Sequence, residues 1–455
     1  MIKQASISKN VIGAFMSEEV ERKVEFQMSY RLLDEKGGET AKGECKSQME
    51  KENLVILPKY GNVLSIPFYE VLDISPQNYE IHLPLTSGEK IILYGLGYYY
   101  DDFLRLAVNL RNNVLLKELL MKEKAAVTGI KAEYAYVDEF MQEKGGGNCE
   151  FNVCETGLVV LPERGDIFRI PYSNIAEVLE EKYAVTFTME TGEKLSLSKM
   201  GVNFDLFKRA YSEANNKLQL NVQSYLKELF PTANFSVMRK LSTIMREGKA
   251  AKRRDIEAID PNLWNELVRK LETTALKDPY NFLKKLSRED KISIGLKRGL
   301  VGELTGEYVW FLIPIYSPNP RQPGNAVAME ATSQEEGGKA TYFFKIVDRG
   351  SYANLSQEQL NLETDKFLRE MNRCMQDINF RREPIYLTDD KLKDSKYRAY
   401  KFAVQKIPSL RTLRKHFVGR VIHVSPQQWE QDVIDLLKFN VTTPDDLAKW
   451  RKSGV

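Results

Sequence analysis

The chain has 455 residues, of which 43% are hydrophobic and 28% charged, with a net charge of +3. It is too long for one ordinary core and too apolar for a disordered chain, so two to four folded domains are expected. No uninterrupted apolar run of about 18 residues occurs, which excludes a membrane-spanning helix. The opening MIKQASISKN lacks the apolar stretch of a secretory signal. Four cysteines in this length point to a reducing compartment, so the expected location is cytoplasmic. The charge is split unevenly: residues 1–230 hold 27 Lys+Arg against 34 Asp+Glu, and the remainder 39 against 29. Such asymmetry suggests different partners for the two halves, or one half binding the other.

The first 230 residues contain one phrase twice. LVILPKYGNVLSIPFYEVLDI begins at Leu54, and LVVLPERGDIFRIPYSNIAEV begins 104 residues later at Leu158. From Leu54 to Arg105 the two copies align without a gap, with 16 identities in 52 positions, including Pro58/Pro162, Gly61/Gly165, Ile66/Ile170, Pro67/Pro171, Tyr79/Tyr183 and Gly88/Gly192. The matches fall at turns and alternating apolar sites, as in a duplicated domain. Cys45 pairs with Cys149 at the same offset, whereas EKGG at Glu35–Gly38 and Glu143–Gly146 implies four extra residues in the first copy.

Within each copy the apolar period is two. Tyr79, Ile81, Leu83 and Leu85 share one strand face in YEIHLPL, and Tyr183, Val185, Phe187 and Met189 share one in YAVTFTM, so both tyrosines are expected inward. SGE and TGE then turn the chain into a second strand. Pro84 favours an edge position because it cannot donate to a ladder. Each copy ends on a helical pattern, with Phe103, Ala107, Leu110 and Val114 along one stripe and Phe207, Ala210, Tyr211 and Leu218 along the other.

Short antiparallel strands closed by one amphipathic helix, with Gly61, Ile66, Pro67, Phe68 and Val71 matched by Gly165, Ile170, Pro171, Tyr172 and Ile175, resemble the pleckstrin-homology-like group, including bacterial PH and GRAM-type domains. The resemblance covers residues 10–230. It implies two tandem β-sandwiches or barrels, residues 10–123 and 124–230, each closed by its C-terminal helix. It also implies binding of peptides or other domains beside that helix.

Beyond the repeat, residues 231–290 read as a basic helical linker region, and 291–380 as an antiparallel sheet plus a helix over Ser356–Ile378. That helix has Phe367, Met371, Cys374, Met375 and Ile378 on its inner face. A diverged third copy of the repeat is an alternative for 291–380. SPNPRQPGN (Ser317–Asn325) reads as a Pro-rich loop, and SQEEGG as a hairpin connection. Residues 381–455 form a basic helical region, ending in a helix capped by Thr443 with Pro444 at its first position. The fold class expected is multidomain α+β.

The chemistry-bearing residues are few. Three histidines, with no cysteine or carboxylate cluster in metal-ligand spacing, predict no metal site. Cys45, Cys149 and Cys374 read as buried thiols and Cys154 as an exposed one. No phosphate loop, dinucleotide fingerprint, nucleophile elbow or HExxH motif occurs, so no cofactor and no enzymatic activity are expected. The leading functional reading is a non-enzymatic adaptor or scaffold that binds proteins, with Tyr98, Tyr99, Tyr100 and Phe204 as contact residues. Nucleic acid is the second reading, through Arg246, Lys249, Lys252, Arg253, Arg254, Arg411, Arg414 and Lys415. Anionic membrane is the third, weakened because the first hairpin of each copy is acidic. The sequence does not fix the partner or the oligomeric state.

Overall fold

The computed structural model describes residues 24–118, 124–299, 306–316, 323–333, 340–378 and 380–440. The expected helix at Thr443 and Pro444, the SQEEGG connection, most of the Pro-rich loop and the start of the first repeat lie outside the described residues. The chain divides into two compact units, Met1–Arg111 and Asn112–Val455.

The first unit holds strands β1 (Val24–Leu33), β2 (Glu39–Met49), β3 (Asn53–Pro58), β4 (Leu64–Pro67), β5 (Ser75–Gln77), β6 (Glu80–Pro84) and β7 (Lys90–Tyr94), and helix α1 (Tyr100–Glu118) begins in it. The seven strands form one curled antiparallel sheet in the order β4-β3-β2-β1-β7-β6-β5. Alternate residues of each strand point inward: Phe26, Met28 and Tyr30 from β1, Leu54 and Ile56 from β3, and Ile81 and Leu83 from β6 are buried, with Phe103, Ala107 and Val108 of α1. The expected edge position of Pro84 is not found, since β6 lies between β7 and β5; Pro84 is tolerated because it stands two residues beyond His82, where the pairing with β5 ends, so its missing N–H interrupts no ladder on that side.

The second unit opens with the same design: β8 (Ala125–Val137), β9 (Glu143–Cys154), β10 (Gly157–Pro162), β11 (Phe168–Pro171), β12 (Ile175–Glu181), β13 (Ala184–Met189), β14 (Lys194–Ser198) and helix α2 (Phe204–Leu229). Its sheet order, β11-β10-β9-β8-β14-β13-β12, repeats the first strand for strand. One core gathers Ile130, Phe151, Leu158, Phe187 and Leu197 with Phe207, Ala210, Ala214 and Leu218 of α2.

Three local readings change. The β1–β2 and β8–β9 hairpins match at the offset of 104 residues without extra ones: Asp34 accepts from Lys36 N and Gly38 N, and Asp138 from Phe140 N and Gln142 N. The EKGG likeness is therefore out of register. Tyr79 and Tyr183 do not point inward. They occupy the hairpin turns at φ of 61° and 63° and are mostly exposed, because a turn there breaks the alternation their neighbours follow. Cys154 is buried beneath the following elements instead of exposed.

The rest of the second unit is built on a third sheet. Its elements are α3 (Phe235–Ile244), β15 (Ala250–Lys252), α4 (Arg253–Glu257), α5 (Leu263–Glu272), α6 (Lys277–Lys285), β16 (Ser293–Gly299), β17 (Gly306–Tyr316), β18 (Pro323–Ser333) and β19 (Ala340–Phe344). These are followed by α7 (Arg349–Tyr352), α8 (Gln357–Asp377), α9 (Glu383–Tyr386), α10 (Arg398–Lys406), α11 (Pro408–His416), β20 (Phe417–Ile422) and α12 (Pro426–Asn440). The strands run β15-β16-β17-β18-β19-β20, a plain antiparallel meander. This differs from the order shared by the two repeats, and β15 and β20 come from outside 291–380, so that segment is not a third copy. The apolar run of β17 is explained by burial on both faces. Phe311 and Ile313 face α3–α6 and α12 through Leu241, Trp264, Tyr280 and Val433, while Trp310 and Leu312 face α8, α10 and α11 through Met371, Cys374, Phe402 and Leu410. Residues 231–290 are thus a covering layer and not a linker. The α8 helix lies as its periodicity predicts, with Ser356 and Gln359 forming a reciprocal capping box.

Candidate docking edge

The two repeats differ most at their last sheet edge. In the first, β5 has three residues, carries Pro76, and is preceded by Ile74, only 5% exposed. In the second, β12 has seven residues and no proline, and every residue after Ile175 is exposed. Val178, the counterpart of Ile74, is 42% exposed, and Leu179 is 52% exposed.

An arginine explains the first edge. Arg111, fully buried on α1, donates from Nε to Val71 O at 2.9 Å and from Nη2 to Leu72 O at 2.5 Å. Those carbonyls are thereby taken from any ladder. In the second repeat Asn215 stands at the matching position, and β12 pairs with β13 from Ile175↔Met189 to Glu181↔Ala184, with an irregularity at Ala176. The carbonyl of Ile175, counterpart of Val71, accepts from Arg246 Nη1 at 2.6 Å.

The turn between β12 and β13 has two residues, Lys182 and Tyr183, so the pair flanking it, Glu181 and Ala184, exchanges backbone hydrogen bonds. By the alternation of antiparallel pairs, Leu179 also turns its backbone groups toward β13, and Val178 and Glu180 turn theirs outward. Among the described residues no strand pairs with that outer side. Beside it, Tyr183 packs edge-on against Phe204 at 5.9 Å between centroids, Lys208 lies over the Phe204 ring at 5.5 Å, and Lys208 Nζ pairs with Glu180. Val202, in the turn just before α2, and Leu206, in its first turn, are exposed as well.

The contact residues expected from sequence fall into two groups. Tyr98 is fully exposed and Tyr99 half exposed, but Tyr100 packs edge-on against Tyr79 and donates to Glu80 O at 3.2 Å. Phe204 is buried beneath Tyr183, so it supports the edge and is not itself a contact surface.

The basic residues do not gather into one free face. Arg246 also reaches Ser173 O, and Lys249 Nζ bonds Glu190 at 2.6 Å. Lys252 pairs with Asp365 at 2.8 Å, Arg253 with Glu257 at 2.8 Å and with Glu289, and Arg254 with its neighbour Asp255. Arg411 donates to Gln405 O. Arg414 donates to Pro384 O, Ile385 O and Leu387 O and pairs with Asp389. Lys415 is exposed and helps to hold the Asp348 carboxyl below its ordinary range, behind the larger effect of Lys345. Acidic residues of the second repeat take several of the later cations: Lys406 meets Asp166 at 2.8 Å and Arg373 meets Glu193 at 3.1 Å. The uneven charge of the sequence is spent partly within the second unit.

One constellation escaped the sequence reading. Glu330 on β18 is fully buried, accepts from Thr341 Oγ1 at 2.7 Å and lies 3.2 Å from His423 Nε2. Burial pushes its carboxyl up, opposed by His423. The signal was a lone carboxylate in the apolar run AVAMEAT. Burial likewise pushes the Cys45 thiol up to about 11 and the Cys149 thiol up to about 12. Among the described residues no three His, Cys, Asp or Glu side chains gather to hold a metal ion, and no helix is long and apolar enough to cross a membrane.

No protein-family model matches the chain, and no characterised protein matches it. Among solved structures it is similar to one chain of "Structure of the Spt16D Pob3N heterodimer", at 14% identity and a TM-score of 0.15, over 36% of this chain and 82% of that chain. A likeness of that size carries no conclusion about fold or function.

Proposed function

We propose that this chain is a non-enzymatic cytoplasmic adaptor, built on two tandem pleckstrin-homology-like units, that holds a protein partner by adding an extended segment to β12. The observation that carries the reading is the outer side of β12, with which no described strand pairs, and where Val178 and Glu180 direct backbone groups outward next to exposed Leu179. An edge of this kind is a template for a further strand, and proteins that do not use such edges blunt them with short strands or proline. The first repeat is blunted in both ways at β5. Seven antiparallel strands followed by a helix, twice over, support the pleckstrin-homology-like assignment. The nucleic-acid reading has less support, since most of its candidate cations are engaged within the chain.

The test transplants the proline of the first repeat. Glu180→Pro places it at the counterpart of Pro76, where the lost N–H faces outward and the β12–β13 ladder stays intact. Peptides selected from a random library by the full chain are expected to lose binding to this variant, and to slow amide exchange at Val178 and Glu180. Leu179→Pro, which removes an inward N–H, is the control that damages the fold itself. Selected peptides that bind Glu180→Pro as well as the parent, or a library that yields none, would remove the proposal.

A further inference from the structure

The side chains of β12 restrict what can lie against it. Alternation places Glu177, Leu179 and Glu181 on one face of the strand and Val178 and Glu180 on the other. Glu180 is neutralised by Lys208. Glu177 and Glu181 are exposed, and neither makes an ion pair with any described residue. The first face therefore reads acid, leucine, acid, with the two carboxylates four residues apart and free.

A strand added at the outer edge would set its own side chains directly opposite these three, at about 5 Å between Cβ atoms. Opposite charges across such a pair stabilise it and like charges oppose it. A second copy of β12 is a poor occupant. Antiparallel self-pairing centred on Leu179 would bring Glu177 of each strand against Glu181 of the other. Resting on the strand-addition reading above, we infer that the β12 edge takes an extended partner segment carrying Lys or Arg at two positions four residues apart, on either side of an apolar residue on the same face. The apolar side chain covers Leu179, and the two cations meet Glu177 and Glu181. Val178 and the neutral Glu180–Lys208 pair set no charge requirement on the other face, so the partner's intervening residues are free to vary.

The test measures binding of three synthetic peptides to the full chain. One is Thr-Lys-Thr-Val-Thr-Lys-Thr with neutral ends, and the other two replace both lysines by glutamine or by glutamate. The lysine peptide is expected to bind about ten-fold tighter than the glutamine one at low salt, and the glutamate peptide weakest, with the differences shrinking as salt is raised. The double variant Glu177→Lys with Glu181→Lys should reverse the order. Equal affinities for all three peptides, each abolished by Glu180→Pro, would leave strand addition standing and overturn the charge requirement. If none of the three binds, the library-selected peptides decide: a recurring basic pair flanking an apolar residue upholds the inference, and its absence overturns it. A doubling of mass in sedimentation that Glu180→Pro abolishes would make the occupant a second copy of this chain, which also overturns it.

Discussion

The first and second repeats share strand order, turn positions and helix placement, yet one closes its last edge and the other leaves it open. The difference rests on a few side chains. In the first, Pro76 removes the outward N–H, and Arg111 draws the carbonyls of Val71 and Leu72 inward. In the second, Glu180 and Asn215 stand at those positions, and the equivalent carbonyl of Ile175 is satisfied by Arg246, which comes from beyond the repeat. Both copies thus place a guanidinium on the same backbone oxygen, from a different part of the chain each time. The lesson is that a duplicated fold keeps the polar groups that must be satisfied and is free to change how they are satisfied.

The sharpest way to break this contrast is Arg111→Met. The substitution keeps the apolar stem but leaves two carbonyls without their charged donor in a buried place. Hydrogen bonds to charged groups count for more than neutral ones, and their buried partners cost most when left unpaired, so a loss of about 3 kcal/mol is expected. Urea unfolding of the full chain, followed by amide exchange, should show that loss together with faster exchange across residues 71–77. A loss below about 1 kcal/mol would mean that water replaces the guanidinium and that Arg111 does not shape the first edge.

Much of this is legible in the sequence. The repeat, the two helices and the inner face of α8 follow from matched turns and from periods of 2 and 3.6, which are local properties of the chain. The turn tyrosines were misread because Tyr79 and Tyr183 continue an alternating pattern, and a positive φ leaves no mark on that pattern. The basic run at 246–254 was misread for a different reason. Its partners Ser173, Ile175, Glu190 and Asp365 lie far away in sequence, and charge density alone does not reveal which cations already have a carbonyl or carboxylate. The third sheet was only partly visible, since β15 and β20 are short strands supplied from either side of its main segment. The open edge at β12 was not read at all. In isolation IAEVLEE is an ordinary amphipathic string, and only comparison with the blunted β5 gives it meaning.

The cores of the two repeats offer a second comparison. Phe26 on β1 stands directly across from Ser47 on β2, and their counterparts across the second sheet are Ile130 and Phe151. The large ring has changed strands. It meets the helix either way: Phe26 lies 5.2 Å from Phe103, and Phe151 lies 5.1 Å from Phe207, both edge-on. The ring is kept but the total volume is not, since Ile130 takes the place of a serine beside it, so the first core is packed around the smaller pair. Ser47→Phe alone should therefore overpack the first core and cost about 2 kcal/mol. Adding Phe26→Ile should recover part of that loss, because the pair stays larger than Phe with Ser but sheds the second ring, a non-additive result expected of residues in contact. Thermal unfolding of the two single variants and the double variant measures the coupling. Additive losses would show that the two sites do not share one packing problem.

The smallest expected effect concerns the first hairpin of each repeat. Gly37 sits at φ 85°, and its counterpart Met141 at φ 60°. The second hairpin thus keeps a side chain in the left-handed region, where only glycine is free of steric cost. Its Met141 is largely exposed and contributes little burial to offset that strain. The turn is held by Asp138, which accepts from Phe140 N and Gln142 N, and the bond from Gln142 is the main reason its carboxyl is held below its ordinary range. Replacing Met141 by glycine leaves those bonds in place and relieves the strain, so Met141→Gly should stabilise the second unit by about 0.5 to 1 kcal/mol. The reverse change, Gly37→Met, should destabilise the first by a similar amount. Space is not the obstacle at Gly37, since a Cβ there meets nothing within 4 Å. Any loss at Gly37 therefore measures backbone conformation alone, and equal stability of both variants with the parent would show that neither turn is strained.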